Sequence, residues 1–222
     1  MKKINILLIL VSLGIYSSCV TVKPKIHKDE PTENFGYPLD KKVEKSFYLV
    51  GDGGYSPTGG TSEGLIAFKN FIDSVEVEGN YTIFLGDNIY PVGMPPEDSP
   101  RREFAEYRLD AQIDALEDYE GNVVVVPGNH DWYDEGIAGL ERQRDYTLEK
   151  VPENLIWSPD TGCGLDIIEI TDDIQLIVID SQWYLENWDR HPTINRDCEL
   201  IKSREAMLLE VETELKKSQN KT

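Results

Sequence analysis

The stretch FLGDNIY, residues 84–90, places an acidic residue directly after an apolar run. That run, YTIFL at residues 81–85, has the β-branched and aromatic content of a buried strand. Gly86 and Asp87 follow it at once, and Tyr90 comes three residues after the acid. A polar turn would explain the glycine and the acid, whereas a metal site would explain the acid and the phenol together.

Two other apolar runs end in the same way. FYLV, residues 47–50, leads into GDGG, and VVVV, residues 123–126, leads into PGNHD. Short apolar runs of this kind are expected to form strands buried on both faces. In an open α/β sheet, ligands bind outside the carboxyl ends of the parallel strands. If these runs are neighbouring parallel strands, Asp52, Asp87 and Asn129 meet at one edge of the sheet.

Amphipathic segments alternate with these runs and predict a parallel, layered α/β fold. Apolar residues at helical spacing predict helices over residues 62–75, 99–120 and 135–150. GLDIIEI and IQLIVI are then separated by three polar residues and predict an antiparallel hairpin, followed by a helix over 196–219. The stripes expected to face the core are Phe104, Tyr107, Ala111 and Ala115 in the second helix and Leu200, Met207, Val211 and Leu215 in the last.

The N-terminus has the layout of a secretory signal. Two lysines precede the apolar run at residues 4–16, which is too short to span a bilayer as a stable helix. The small residues before Cys19 resemble the lipobox of bacterial lipoproteins, so we expect a signal peptide over residues 1–19 and lipidation of Cys19. Tyr16 departs from the aliphatic residue usual in that signal, and ordinary cleavage nearby is the alternative.

The mature chain is expected to begin with a flexible tether. Residues 20–45 are polar and contain prolines without periodicity, so the folded domain is expected over residues 46–222. A lipid anchor would hold this domain at a membrane on the periplasmic or cell-surface side. In such an oxidising compartment Cys163 and Cys198 could pair, although their spacing does not require it.

The charge balance excludes one class of partner. The chain has 22 basic and 41 acidic residues, for a formal net charge of -19. This field repels nucleic acid, so a nucleic-acid-binding function is excluded. An acidic surface keeps a protein soluble, or it concentrates divalent cations.

Two carboxylates at one sheet edge favour a bound cation, because like charges at short distance oppose each other's ionisation. A carboxylate can bridge two metals, and the amide of Asn129 offers a neutral oxygen. Tyr90 could offer a phenolate. Because a free phenol has a pKa of about 10, a phenolate ligand favours a strongly Lewis-acidic metal such as ferric iron. This chemistry favours the metal-site interpretation of FLGDNIY.

GDGG, GDNIY and GNHD, in this order at three predicted strand ends, resemble the first three of five signature blocks of the purple acid phosphatases. The small, tartrate-resistant-like branch of these calcineurin-like metallophosphoesterases is the nearer match. The family pattern is GDxG, GDxxY, GNH followed by Asp or Glu, then VxxH and GHxH. The resemblance covers residues 46–217 and implies a layered α/β/β/α sandwich that stops before its last strands.

The resemblance also implies a dinuclear metal centre, with iron beside zinc, manganese or a second iron. Asp52 would be a terminal ligand of the iron-like site, and Asp87 would bridge both metals. Tyr90 would bind the ferric ion and give a purple charge-transfer colour, and Asn129 would bind the divalent ion.

The same resemblance implies a reaction. A metal-bound hydroxide would attack the phosphorus of a phosphate ester while both cations neutralise its oxygens. His130 would contact the phosphate or protonate the leaving oxygen, and Asp131 would orient His130.

The last two blocks, which supply three histidine ligands in that family, are absent. The chain has only three histidines; His27 lies in the tether, and His191 matches no block and is interpreted as a structural or rim residue. We therefore hypothesise that the chain is the front part of a longer protein whose C-terminal half completes the domain. The alternative is a non-catalytic binding lipoprotein that keeps the fold with an incomplete metal site.

The substrate is not specified by any motif. The loop at residues 91–100 and four aromatic residues are candidates for the rim of the cleft, or equally for packing. These aromatic residues are Trp132, Tyr133, Trp183 and Tyr184.

Overall fold

The computed structural model describes residues 42–75, 78–151, 154–160, 162–186, 198, 201 and 203–219. All of the described helices and strands lie within residues 43–222. The signal peptide with Cys19, most of the tether with His27, and His191 lie outside the described residues. Within the described ranges, no helix has both the length and the apolar character needed to cross a membrane.

The first sheet consists of four parallel strands in chain order. They are β1 Phe47–Val50, β2 Tyr81–Phe84, β3 Asn122–Val125 and β4 Leu155–Trp157. Val50 pairs with Phe84, and Phe84 pairs with Val125, so the carboxyl ends of β1, β2 and β3 are level. The predicted parallel α/β sheet is confirmed. Strand β4 was not predicted, because its three residues are not part of a longer apolar run.

The described residues form five α-helices beside these strands. They are α1 Glu63–Ile72, α2 Arg102–Asp114, α3 Ile137–Lys150, α4 Ser181–Leu185 and α5 Arg204–Lys217. The helices α1, α2, α3 and α5 match predicted segments and are shorter at their ends. The start of α1 is fixed by Ser62, whose hydroxyl accepts a hydrogen bond from the backbone N–H of Leu65.

The second sheet is the antiparallel hairpin of β5 Leu165–Glu169 and β6 Gln175–Ile179, as predicted. It packs on one face of the parallel sheet, where Ile83 and Val124 contact Val178. Because successive side chains of a strand point to opposite faces, Phe84 and Val125 project to the other face. There they pack in a larger cluster with apolar side chains of α1 and α2. The order of helices, sheet and second sheet matches the layered architecture expected from the sequence.

Two expectations about burial are wrong. The run that forms β1 was expected to be buried on both faces, but β1 is an edge strand and Leu49 is 62% exposed. In α5, Met207 is buried as expected, but Leu215 is exposed. Both errors have one cause, since apolar sequence reports the tendency of a side chain to be buried and not the presence of a neighbour.

The predicted apolar stripe of the second helix is half right, because Ala111 and Ala115 are buried as expected but Phe104 and Tyr107 are not. The helix buries Ala105, Leu109 and Ala111 together with the polar side chains of Arg108 and Gln112. Phe104 and Tyr107 are only half-buried. The reason is local, because Arg108 and Gln112 bind backbone carbonyl groups of the loop after β2.

Cys163 and Cys198 form a disulfide bond, with their Cα atoms 5.5 Å apart. The bond closes a segment with a sequence separation of 35 residues. It ties the start of β5 to the chain that leads into α5.

We expect replacement of both cysteines by serine to lower the free energy of unfolding by about 3–4 kcal/mol, since the cross-link restricts the unfolded chain. Urea denaturation with and without dithiothreitol checks this. The parent should lose the same stability on reduction, and the serine variant should not respond to the reductant. Equal sensitivity of both proteins to reduction would contradict the assignment.

Candidate metal centre

A cavity of about 300 Å³ opens at the carboxyl ends of the parallel strands. Its walls come from the loops after β1, β2 and β3 and from the end of β6. Asp52, Asp87 and Asn129 all line it. The structure therefore brings together the three side chains that the sequence placed at one sheet edge.

Tyr90 joins the two carboxylates at this cavity. Its hydroxyl forms a short hydrogen bond with Oδ1 of Asp52 and lies 2.8 Å from Oδ2 of Asp87. Partial burial, together with the hydrogen bonds to the two carboxylates, raises the pKa of Tyr90 well above its ordinary value. One phenolic proton can be donated to only one of the two carboxylates, whereas a cation at this point would satisfy all three oxygens.

The backbone is strained where the two acids lie. Asp52 and Asp87 have φ angles of 56° and 54°, in the left-handed region that costs a non-glycine residue about 1–2 kcal/mol. Glycines allow the loops to approach each other. A Cβ atom on Gly128 would lie 2.2 Å from the backbone nitrogen of Asp87. Strain of this kind persists only where the surrounding contacts enforce it.

Asp131 supplies such contacts. Its carboxylate is fully buried and accepts hydrogen bonds from the backbone N–H groups of Gly128, Asn88 and Ile89, at 2.8, 3.1 and 3.0 Å. The side-chain amide of Asn88 donates to it as well. Burial raises the pKa of Asp131 to about 6, although the backbone donors act in the opposite direction. Asp131 therefore ties the loop after β3 to the loop after β2.

The ring of His130 is held by a different residue from the one expected. The sequence assigned its orientation to Asp131, but Nδ1 of His130 lies 2.7 Å from the carbonyl oxygen of Pro91. The ring also contacts the rings of Tyr90 and Tyr133, with centroids 4.3 and 4.9 Å apart. The backbone N–H of His130 donates to Oδ1 of Asp87 at 3.0 Å. The proposed catalytic side chain thus lies beside the proposed ligands.

Sequence reasoning missed the polar face of α2. Arg108 donates a hydrogen bond to the carbonyl oxygen of Tyr90, and Gln112 donates to that of Asn88 at 2.7 Å. These two side chains are one helical turn apart and hold the loop on both sides of Ile89. Two polar residues four apart within a helix that must be partly buried were the available signal.

Asp180 was also missed. It follows β6, and its carboxylate accepts hydrogen bonds from Nε1 of Trp132 at 2.8 Å and from the backbone N–H of Trp183 at 2.9 Å. The signal was present, because the apolar run IQLIVI of the predicted hairpin is also followed by an acid. Trp132 and Trp183 are buried and do not form the rim. Tyr184 is half-buried, which leaves Tyr133 as the exposed member of the four aromatic candidates.

The side chains at the cavity fit a metal ion in their chemistry. Two carboxylates, a phenol and an amide present oxygen donors, which suit hard cations. Within the part of the chain that the structure describes, no group of three His, Cys, Asp or Glu side chains is arranged to hold a metal. The candidate ligands at this cavity are the two carboxylates together with Tyr90 and Asn129.

Comparison with known proteins agrees with this fold. The sequence pattern of the calcineurin-like phosphoesterases matches residues 45–221, and the chain belongs to this family. Membership indicates a hydrolase of phosphate esters, and the family typically binds a dinuclear metal centre. No curated protein matches the chain significantly.

The stability of the domain should fall as the pH rises from about 4 to about 7.5. Burial raises the pKa of Asp180 to about 7, against an ordinary value of 3.8. The folded protein therefore binds this proton more tightly than the unfolded chain. The stability that Asp180 contributes is complete below its pKa in the unfolded chain, and it is lost as the pH rises through its pKa in the folded protein. The loss from this group is at most about 4 kcal/mol.

Urea denaturation at several pH values measures this slope. Asp180→Asn should flatten it, because the uncharged amide does not titrate, while Asp172→Asn in the exposed β5–β6 loop should leave it unchanged. A slope equal to that of the parent in Asp180→Asn would rule out Asp180 as its source.

Proposed function

We propose that this chain carries a metal-dependent phosphoesterase of the purple acid phosphatase type, acting on phosphate monoesters. The observation that supports it most directly is the hydroxyl of Tyr90 held between the carboxylates of Asp52 and Asp87. A single phenolic proton cannot satisfy both carboxylates, whereas a cation would bind all three oxygens. This grouping of oxygens is the arrangement that a ferric ion with a phenolate ligand requires.

Four side chains would hold the metal centre. Asp52 and Tyr90 would bind an iron-like ion, Asp87 would bridge, and Asn129 would bind a divalent partner such as zinc, manganese or iron. When bound, the cations neutralise charge on the phosphoryl oxygens and acidify a water molecule for attack. The fixed loops keep these ligands in place before any metal arrives, because Asp131 and Gln112 bind the backbone around them.

His130 is assigned to the leaving group. With the proton at Nδ1 held by the carbonyl oxygen of Pro91, Nε2 is the nitrogen left to interact with substrate. A protonated Nε2 can donate to the leaving oxygen or to a phosphoryl oxygen as charge develops there. The contacts with Tyr90 and Tyr133 restrict the plane of the ring.

A non-catalytic binding protein is the second candidate. It is favoured by one observation, that the described residues contribute no His, Cys, Asp and Glu cluster of three at the cavity. The two candidates differ in turnover, so a hydrolysis assay separates them.

Hydrolysis of p-nitrophenyl phosphate should depend on added iron with zinc or manganese. Asp87→Asn should lower the rate at least ~100-fold, because the bridging carboxylate loses its charge. In iron-loaded protein, Tyr90→Phe should also remove a visible absorption band. Asp73→Asn, an exposed acid at the end of α1, is the matched control and should behave as the parent. Metal-dependent turnover at the parent rate in Asp87→Asn would refute this centre, whereas a parent without turnover would favour the non-catalytic candidate.

We further propose that the protein is exported and anchored by a lipid on Cys19. The disulfide between Cys163 and Cys198 supports an oxidising compartment, since such bonds persist mainly outside the cytosol.

In a bacterial host, the parent should incorporate labelled palmitate and partition with membranes. Cys19→Ala should lose the label and become soluble after export. Labelling that survives this substitution would disprove the assignment of Cys19.

A further inference from the structure

Tyr133 touches both a proposed metal ligand and the proposed catalytic histidine. Its hydroxyl accepts a hydrogen bond from Nδ2 of Asn129 at 2.6 Å, and its ring meets the ring of His130 edge-on, 4.9 Å between centroids. We propose that Tyr133 is a positioning residue that fixes the amide of Asn129 for metal binding and restrains His130. This inference rests on the proposed function, in which Asn129 binds the divalent ion.

The backbone around Tyr133 is held by its neighbours. Tyr133 ends a short 3-10 turn, Asp131–Tyr133, whose first two residues are buried. Asp131 binds the loop after β2, and Trp132 binds Asp180. On the other side, the buried Asp134 forms an ion pair with Arg101 at 2.7 Å. The turn is therefore fixed from within while Tyr133 itself is 53% exposed.

The contact with Asn129 engages the donor end of its amide. The oxygen and nitrogen ends of an amide have nearly the same shape, but only the oxygen binds a cation. With Nδ2 donating to Tyr133, Oδ1 is the end left for the metal. A partner that holds the donor end of a ligand also increases the electron density at the end that binds.

The ring of Tyr133 has a separate effect on His130. Nδ1 of His130 is already engaged with Pro91, and Tyr90 contacts the ring as well. The ring of Tyr133 adds a third restraint on how Nε2 is directed. The hydroxyl and the ring of Tyr133 thus act on different partners and can be removed one at a time.

If the hydroxyl of Tyr133 only stabilised the fold, its removal would lower the melting temperature. Because the hydroxyl of Tyr133 and the amide it binds are accessible to solvent, each can bind water when the other is lost. Removal of the hydroxyl should therefore leave the melting temperature unchanged. Its loss should appear in the affinity for metal instead.

The test is a titration of the full chain with Zn²⁺ alone, using a competing chelator to measure affinity. Four proteins form a cycle, namely the parent, Tyr133→Phe, Asn129→Ala and the double variant. Tyr81→Phe, at the opposite end of β2, is the matched control for loss of an unrelated tyrosine hydroxyl.

We expect Tyr133→Phe to weaken one zinc site by about 10-fold, with near-ultraviolet circular dichroism and melting temperature unchanged. The double variant should bind no more weakly than Asn129→Ala, because the hydroxyl acts only through that amide. Under turnover, Tyr133→Ala should lower kcat beyond Tyr133→Phe, since only alanine releases His130.

Three results would overturn the proposal. If the parent binds zinc and Tyr133→Phe binds it equally, the positioning role fails while the proposed function stands. If the losses in Tyr133→Phe and Asn129→Ala are additive, the hydroxyl does not act through the amide. If the parent binds no zinc, the proposed function fails and this inference fails with it.

Discussion

Holding the carboxylates of Asp52 and Asp87 against one phenol, despite their repulsion, is the constraint on which the rest of the site depends. The fold meets this constraint through the conformation of the backbone and not through the charge of other side chains. Both acids occupy the left-handed region, and glycines allow the loops after β2 and β3 to touch. The positions of the acids are therefore set by the backbone of these loops, as a preorganised site requires.

The cost of this strain is offset by hydrogen bonds that involve backbone groups of the same loops. Asp131 accepts from three N–H groups, while Arg108 and Gln112 donate to two carbonyl oxygens. Buried polar side chains need hydrogen-bond partners, and here these partners are the backbone groups that must not move. This explains why a helix that was expected to bury an apolar stripe buries an arginine and a glutamine.

The sequence was informative where a local pattern maps directly onto geometry. Strand ends followed by glycine and a polar residue predicted that Asp52, Asp87 and Asn129 would converge, because the carboxyl ends of neighbouring parallel strands lie at one edge of the sheet. It was uninformative where a role depends on a partner distant in the chain. The resemblance assigned Asp131 to the orientation of His130, yet Asp131 binds the backbone N–H groups of Asn88 and Ile89, more than 40 residues away on the loop after β2. Likewise, Leu49 and Leu215 are apolar but lack covering neighbours, which no single-residue property reveals.

The two sheets act on the site together. The parallel sheet contributes the proposed ligands, whereas the hairpin contributes Asp180, which holds Trp132 from below the turn that carries the site. Adjacent residues of that turn thus face different parts of the fold, with Asp131 bound toward β2 and Trp132 bound toward β6. Asn129 and His130 precede this doubly held pair, and Tyr133 follows it. A change in the packing of the hairpin would therefore shift the proposed ligands through Asp131 and Trp132, which are adjacent in the chain. The second sheet thus helps to position the proposed ligands as well as covering the core.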